Sequence, residues 1–528
     1  MNDPITYADG APNTQVGANT DPSPRETLTI EEAVNRVSEK VTLKLVLMFA
    51  AVSLTVLNVG PGTYMAIFTG YIPYTEWECV SVKCSDLLAA AGSTKGFYSY
   101  DTMCNNNLIA GSDFQWTSKT KSFSTQWGFY CQNEAKLSLF SSVHSIGTFL
   151  GAICSTGVYE RIGRKKGAIV GSFLTLIAVA ASAVANNYYI LLLLRIMYGF
   201  GMQVTYMGSY CWIVETAPTY LRNPISNLFA LGWSAGIFAL IGISYFIHDW
   251  HYVHAAVACV DAVAILPFFL LPLPESPRFS LLKGKEEESK KTLKVLARLS
   301  GTNVSLDKVD LVYEEKDQSY IEQIKDFKSH PTMLKETLTG MIIWFIVSLI
   351  FYSYQYGWSK MGHGLHSIYS FSALGEAISF VIPVPCCRLL GRKKATIFFF
   401  GLIVVMNGLA MLNVKLADEW NLEHLASLVG SIGGGAAYNL MFLYTGELAP
   451  TSHRGMILCL SACCAEVGSF IGPYVNLLYG TTDRRVPLTL FAGLSVLAIV
   501  ALCFLPDTTG RCVPETPGDV EMLAEVCS

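Results

Sequence analysis

The chain has 528 residues, of which 52% are hydrophobic and only 15% charged, and the apolar residues fall in long blocks with few internal charges. That composition belongs to a membrane protein and excludes an ordinary soluble domain. A net charge of −4 gives no reason to expect a nucleic-acid partner.

In chain order, residues 1–40 form a cytosolic tail. Its first part, Met1 to about Thr27, is rich in Asn, Thr, Pro and Asp and is expected to be disordered. An amphipathic stretch from Ile30 to Lys44 leads into a first span that ends near Phe68. No short cationic leader with a cleavage site precedes it, so the span is expected to serve as its own uncleaved signal. A polar insert over 69–134 follows, too long for an ordinary connection and therefore expected to fold as a small domain. It holds Cys79, Cys84, Cys104 and Cys131, which suggest disulfides in an oxidising compartment, with the pairing left open. The other cysteines sit mostly in apolar runs and read as small buried side chains.

Five more spans complete the first half, 41–273, at about Leu137–Tyr159, Gly167–Ala185, Tyr188–Val214, Pro224–Ile247 and Tyr252–Leu273. A mixed-charge connector, 274–337, carries a helical run at Glu286–Leu299. The second half, 338–506, holds six spans, at Leu338–Trp358, Ser367–Cys387, Ala395–Leu412, His424–Thr445, Met456–Leu478 and Val486–Leu505, before a tail over 507–528. Each approaches the roughly 20 residues that a bilayer core requires. If the spans alternate, Arg161, Arg164, Lys165, Lys166, Arg222, Lys283, Lys285, Arg392, Lys393, Lys394 and Arg454 share one side, which should be cytosolic; Arg484 and Arg485 fall on the other. Both tails are then inside and the insert outside.

The halves repeat each other. Glu215-Thr-Ala-Pro-Thr-Tyr-Leu-Arg222 returns as Glu447-Leu-Ala-Pro-Thr-Ser-His-Arg454 at an offset of 232, and Pro274-Glu275 returns as Pro506-Asp507 at the same offset. Gly163-Arg-Lys-Lys166 returns as Gly391-Arg-Lys-Lys394 at an offset of 228. Common order and charge placement predict an all-α membrane protein built as two parallel six-span repeats with a site between them. Before the first basic turn, Gly147, Gly151 and Gly157 make a small-residue helix face suited to close packing, followed by Glu160 and Arg161.

These motifs resemble those of the major facilitator superfamily, as does Arg195-Ile-Met-Tyr-Gly-Phe-Gly201 in the fourth span. Within it, Pro274-Glu-Ser-Pro-Arg278, Glu447-Leu-Ala-Pro-Thr451, Gln126-Trp-Gly-Phe-Tyr-Cys131 and Pro514-Glu-Thr-Pro-Gly-Asp519 are similar to the organic cation, anion and carnitine transporter family, closest to its cation branch. The likeness extends from the first span to the tail and implies twelve helices in two pseudo-symmetric halves with an extracellular cysteine-bearing loop domain. Three departures stand out. Arg388 replaces the usual acid in the second signature, Gln126 and Gly128 replace common acids in the insert, and the insert has no N-x-S/T sequon; the one such triplet, at Asn303, falls in the connector. The reversed charge at Arg388 also raises a receptor or scaffold that keeps the fold without transporting.

By the resemblance, Glu215, Arg222, Glu447 and Arg454 form ion pairs that close the cytosolic side when the site faces outward, and Glu160, Arg161, Arg164 and Arg392 belong to the same gating set; the residue-level alternative is ordinary helix-end charge. The sharper clue to substrate is Glu466, about a dozen residues into the eleventh span. An ionised carboxylate at that depth costs about 2.5 to 3.5 kcal/mol, so it should face a wet cavity or a partner. In the family this position is acidic in cation carriers and basic in anion carriers. Glu376 in the eighth span either neutralises substrate or holds the bundle together. Tyr206, Tyr210, Trp344, Tyr352, Tyr356, Tyr438 and Tyr444 offer ring faces to a cation, at about 2 kcal/mol or more each when desolvated. By resemblance, Tyr206, Tyr210 and Trp344 line the family's cavity.

His248, His251 and His254 recur every third residue but straddle an exposed turn, so no metal is expected. Gly433-Gly-Gly435 lacks a preceding strand and reads as helix packing. No P-loop, metalloprotease motif or nucleophile elbow is present, so neither an enzyme nor a cofactor is expected. The expectation is a plasma-membrane carrier of small organic cations, working by alternating access and driven by voltage worth about 2.3 kcal/mol per 100 mV. Carnitine-like zwitterions or organic anions are the alternative cargo, with Arg195 available to a carboxylate. The insert is also a candidate surface for homo-oligomer formation.

Overall fold

In a computed structural model the described residues are 26–73, 77–90, 104, 106, 110, 112–271, 273–303, 309–312, 320–357, 365–412, 422–450, 452–475, 477–478, 485–509, 514 and 516–525. Among them, twelve helices are long and apolar enough to cross a membrane. They are α1 (Leu43–Thr69), α2 (Cys131–Ile162), α3 (Arg164–Ser182), α4 (Tyr188–Thr216), α5 (Thr219–Phe246) and α6 (Trp250–Leu270), then α7 (Pro331–Gly357), α8 (Leu365–Leu390), α9 (Arg392–Ala410), α10 (His424–Leu448), α11 (Arg454–Val475) and α12 (Arg485–Cys503). Residues 1–25 and Arg484 lie outside the described residues.

Polar side chains set where several spans begin. Thr42 Oγ1 accepts from the Leu45 amide at 3.3 Å, Asn187 Oδ1 from Tyr189 at 2.9 Å, and Asp249 Oδ1 from His251 at 3.0 Å. Each satisfies an amide that the first helical turn leaves unpaired. The fifth span starts before the expected Pro224, which lies inside α5.

Four short strands were not apparent from the sequence. β1 (Glu26–Thr29) pairs in parallel with β4 (Val309–Val312) of the connector, and β2 (Trp77–Cys79) pairs antiparallel with β3 (Phe114–Trp116) in the insert. β1 runs into a helix at Ile30–Val37, started by a reciprocal capping box between Thr29 and Glu32. The described part of the tail therefore begins with Glu26, close to the expected boundary at about Thr27, where its backbone completes a two-stranded sheet. The connector helix spans Glu286–Ser300, close to the expected run.

The insert is tied by Cys79–Cys84 and Cys104–Cys131, which resolves the pairing left open above. Phe114 anchors it at 0% exposure, with Trp77, Trp116 and Tyr130 around its ring. The bridges close loops of 27 and 5 residues. Loop-closure entropy then predicts that Cys104→Ser destabilises the insert by about 3.5 kcal/mol and Cys79→Ser by about 2 kcal/mol. Limited proteolysis of the purified protein should show the insert cut sooner in the first variant.

The spans have two distinct ends. The insert adjoins one end; the Gly163 and Gly391 turns and the connector adjoin the other, called here the basic end. Hydrogen bonds between halves run from the insert end to mid-depth: Ser138 Oγ to the Pro473 carbonyl at 3.3 Å, Ser142 Oγ to the Phe470 carbonyl at 2.6 Å, and Ser469 Oγ to Ser145 Oγ at 2.7 Å. The inter-half packing of α2 on α11 and of α5 on α8 lies in the same region. The seam is therefore closed at the insert end.

Candidate functional site

The repeated phrases fold into two superimposable clamps at the basic end. In the first half Arg164 meets Glu215 at 3.0 Å, Lys165 Nζ donates to the Leu273 carbonyl at 2.8 Å, and Trp212 Nε1 donates to the Pro274 carbonyl at 2.9 Å. In the second half Arg392 meets Glu447 at 2.6 Å, Lys393 Nζ donates to the Leu505 carbonyl at 2.6 Å, and the Tyr444 hydroxyl donates to the Pro506 carbonyl at 2.5 Å. Ser276 donates to Glu215, and Thr508 to Glu447 at 2.7 Å. Both turns need glycine: Gly163 has φ +101° and Gly391 φ +81°, and a Cβ would meet Glu275 or Thr509 at 2.4 or 2.5 Å.

These clamps join helices of one half, so in this conformation they differ from the expected set. Glu215 and Glu447 pair with the arginines of the glycine turns, whereas Arg222 pairs with Glu31 of the tail helix at 2.7 Å. The tight Gly turn carries Arg164 to the end of α4, while Ala217-Pro218 leads the chain away into α5 before Arg222. Glu160 and Arg161 are exposed and make no ion pair among the described residues. Arg388 is also exposed, so the reversed charge there meets solvent. Gly147 and Gly151 do let α2 approach α4, with a Cβ on Gly147 meeting the Ile196 carbonyl at 2.1 Å, but Gly157 faces open space. Glu215→Gln should lower stability by about 2 kcal/mol and Glu447→Gln by about 1 kcal/mol, because side-chain exposure is 13%/12% in the first pair against 31%/17% in the second. Thermal unfolding of purified protein measures both.

Between the halves lies a cavity. Glu466, Tyr206, Trp344, Tyr352, Tyr356 and Glu376 line it, and so does Tyr438. Tyr210 and Tyr444 do not: Tyr210 lies one turn further along α4, packed on Phe229, and the Tyr444 hydroxyl is committed to its clamp. On the wall formed by α7 and α10, the Trp344 ring stands edge-on to Tyr438 at 5.2 Å and Phe442 at 4.6 Å. Trp344 Nε1 donates to Thr445 at 2.9 Å, which fixes the indole plane.

The two buried acids differ in what remains free. Both oxygens of Glu376 are taken, Oε1 by the Tyr64 hydroxyl and Oε2 by Trp233 Nε1 at 3.0 Å, so this acid joins α8 to α1 and α5 across the halves. Among the described residues Glu466 accepts through Oε2, from Thr148 at 2.6 Å and Ser469 at 3.0 Å, and Oε1, in the cavity wall, has no protein partner. Thr148, Ser469 and Trp233 escaped the sequence reading. For Thr148 the available signal was its place between Gly147 and Gly151 on the close-packed face.

Among the described residues no cluster of His, Cys, Asp or Glu has metal-binding form. His251 contacts Asp249 at 3.1 Å and His254 the Trp250 carbonyl at 2.8 Å, so the histidine series serves the start of α6. Gly435 packs against Ser379, where a Cβ would meet Oγ at 2.6 Å.

The model of the sugar (and other) transporter family matches residues 87–361 and 347–510. The chain belongs to that family. It is 26% identical to rat solute carrier family 22 member 2 over 478 residues, covering 88% of this chain and 82% of the relative. It is 25% identical to Xenopus laevis solute carrier family 22 member 6-A over 448 residues, covering 82% and 78%. The fold is that of the proton:xylose symporter XylE bound to 6-bromo-6-deoxy-D-glucose, at a TM-score of 0.60 and 15% identity, covering 91% of this chain and 98% of that one. An inward open structure of the Escherichia coli xylose transporter XylE matches at a TM-score of 0.57 with 15% identity, covering 91% and 99%. This transporter is thus a twelve-span carrier of the major facilitator type, and like its family it is not an enzyme.

Proposed function

We propose that this transporter moves small organic cations across the plasma membrane by alternating access. The observation that carries the reading is Glu466 Oε1, without a protein partner among the described residues, in a cavity that the rings of Trp344, Tyr352 and Tyr438 also line. A carboxylate in the cavity supplies the counter-charge, and ring faces hold a poorly hydrated ammonium that has no hydrogen to donate.

The basic end faces the cytosol, by the positive-inside rule, and the disulfide-tied insert faces the oxidising exterior. With the seam closed at the insert end, the conformation described here faces inward. Membrane potential then favours entry of a monovalent cation without an ATP site.

The test is uptake under voltage clamp from three pools: quaternary amines, organic anions and carnitine. Saturable, voltage-dependent uptake of the amines is the expected result. Uptake of anions alone would overturn the reading.

A further inference from the structure

The first half contains a second buried acid that the cavity does not use. Asp261 lies on α6, 1% exposed, and neither carboxylate oxygen has a hydrogen-bond partner among the described residues. Helix α6 packs there against α3 and against the Leu54–Asn58 turn inside α1. The Tyr198 hydroxyl of α4 is the one donor within reach of the Asp261 carboxyl among the described residues, and its best-formed bond goes instead to the Asn58 carbonyl at 2.9 Å. Asn58 is itself 2% exposed, with Nδ2 at 3.4 Å from Thr175 Oγ1 and with Oδ1 unpartnered. Four helices therefore bring together oxygen acceptors that outnumber the donors aimed at them.

A bare carboxylate in such a place is strongly disfavoured, and a positive charge that neutralises it restores the balance. Among the described residues no ion pair does so: Arg195, one turn from Tyr198 on α4, instead places its guanidinium over the Phe140 ring at 5.2 Å and reaches the Thr63 carbonyl at 3.5 Å. The other titratable groups in the packed surroundings are His144 on α2, next to Arg195, and His254 on α6 itself, two turns away and bonded to the Trp250 carbonyl.

We propose that Asp261, with Asn58 and Tyr198, forms a site for a small monovalent cation, a proton or Na+, that travels with the substrate. The site adjoins the cavity without sharing a ligand with it. Val59, next to Asn58, and Met202, one turn from Tyr198, line the cavity, while Glu466 lies in the opposite half. Because the two acids are separate, ion and substrate occupy the transporter together, which makes the coupling co-directional. Occupancy governs whether α6 can stay packed on α1 and α4, and hence how the first half moves.

This inference rests on the alternating-access reading but not on the identity of the cargo, so one arm of its test uses no substrate. In that arm the melting temperature of the purified full-length protein is measured against Na+ at fixed pH and against pH without Na+. Against one of them wild type shows a response that Asp261→Asn, an uncharged isostere expected to fold, lacks, and that difference between the two proteins identifies the occupant. Tyr198→Phe, which keeps the ring, responds more weakly.

In the second arm, proteoliposomes take up labelled tetraethylammonium. An inward tenfold gradient of the occupant raises wild-type accumulation up to about tenfold at one-to-one coupling, and Asp261→Asn loses that response while retaining exchange. Failure of wild type to move any amine would strike the substrate reading and leave the melting arm to decide this one. Identical dependence of the melting temperature on Na+ and on pH in wild type and Asp261→Asn, or a gradient effect of opposite sign, would overturn it.

Discussion

Glu466→Gln should cut uptake of a quaternary ammonium about 30-fold or more. Removing one partner of a desolvated charge pair costs about 2 to 5 kcal/mol, and 2 kcal/mol already corresponds to that factor. The substitution is conservative in every other respect. The Gln carbonyl can still accept from Thr148 and Ser469, whose hydroxyls lie at 2.6 and 3.0 Å from Oε2, so the packing of α2 on α11 is retained. What disappears is the charge on the oxygen that no protein group uses. Initial rates across a range of probe concentrations, normalised to surface expression, are the measurement. An organic-anion carrier would show unchanged or improved uptake of its own substrate, since the lost charge would have repelled it. Equal loss for cations and anions would show damage to the carrier itself. Trp344→Ala should weaken the same step by removing a ring held in place by Thr445 and by its neighbours Tyr438 and Phe442.

How much of this was legible before the fold was known depended on whether the signal was periodic or three-dimensional. The spans were readable because a bilayer demands about 20 apolar residues whatever they pack against, and every expected span has a helix. The repeats were readable too, and their echo in space is close: Arg164–Glu215 and Arg392–Glu447 occupy corresponding places with corresponding Ser276 and Thr508 contacts. The partners were not readable. Glu215 lies closer in sequence to Arg222 than to Arg164, and only the sharp turn at Gly163 decides between them. β1 and β4 escaped for a similar reason, since each is four residues long and neither has a strand pattern without the other. In the cavity, ring type alone could not distinguish Tyr206, which lines it, from Tyr210 a turn away. Sequence favoured Glu466 as the substrate acid largely through the resemblance and left Glu376 between substrate and bundle, because both are acids in apolar helices. The distinction lies in the donors that other helices deliver to them.

That distinction makes Glu376 the more informative variant for the movement of the halves. Its carboxylate receives the Tyr64 hydroxyl from α1 and the Trp233 indole from α5, and it is 4% exposed. Glu376→Ala strands both donors, and Tyr64 is itself buried at 1% exposure with no obvious escape to water. Each stranded group costs about 1 to 3 kcal/mol where the seam stays closed. Opening the seam toward the insert end lets water reach both, so the cost falls on one conformation and shifts the equilibrium away from it. The two together displace the equilibrium by about 30-fold or more toward the outward-facing form. Glu376→Gln should move it less, since the amide can still accept one of the two bonds. Spin labels placed near the insert end of α2 and α11, whose Ser138 to Pro473 bond marks the closed seam, should report longer distances in Glu376→Ala than in wild type. If Glu376 instead held the substrate, those distances would stay unchanged and the apparent affinity for the ammonium probe would fall as it does in Glu466→Gln. A longer distance together with an intact substrate Kd, measured by equilibrium binding and corrected for the shifted population, would assign Glu376 to the seam and leave Glu466 as the counter-charge.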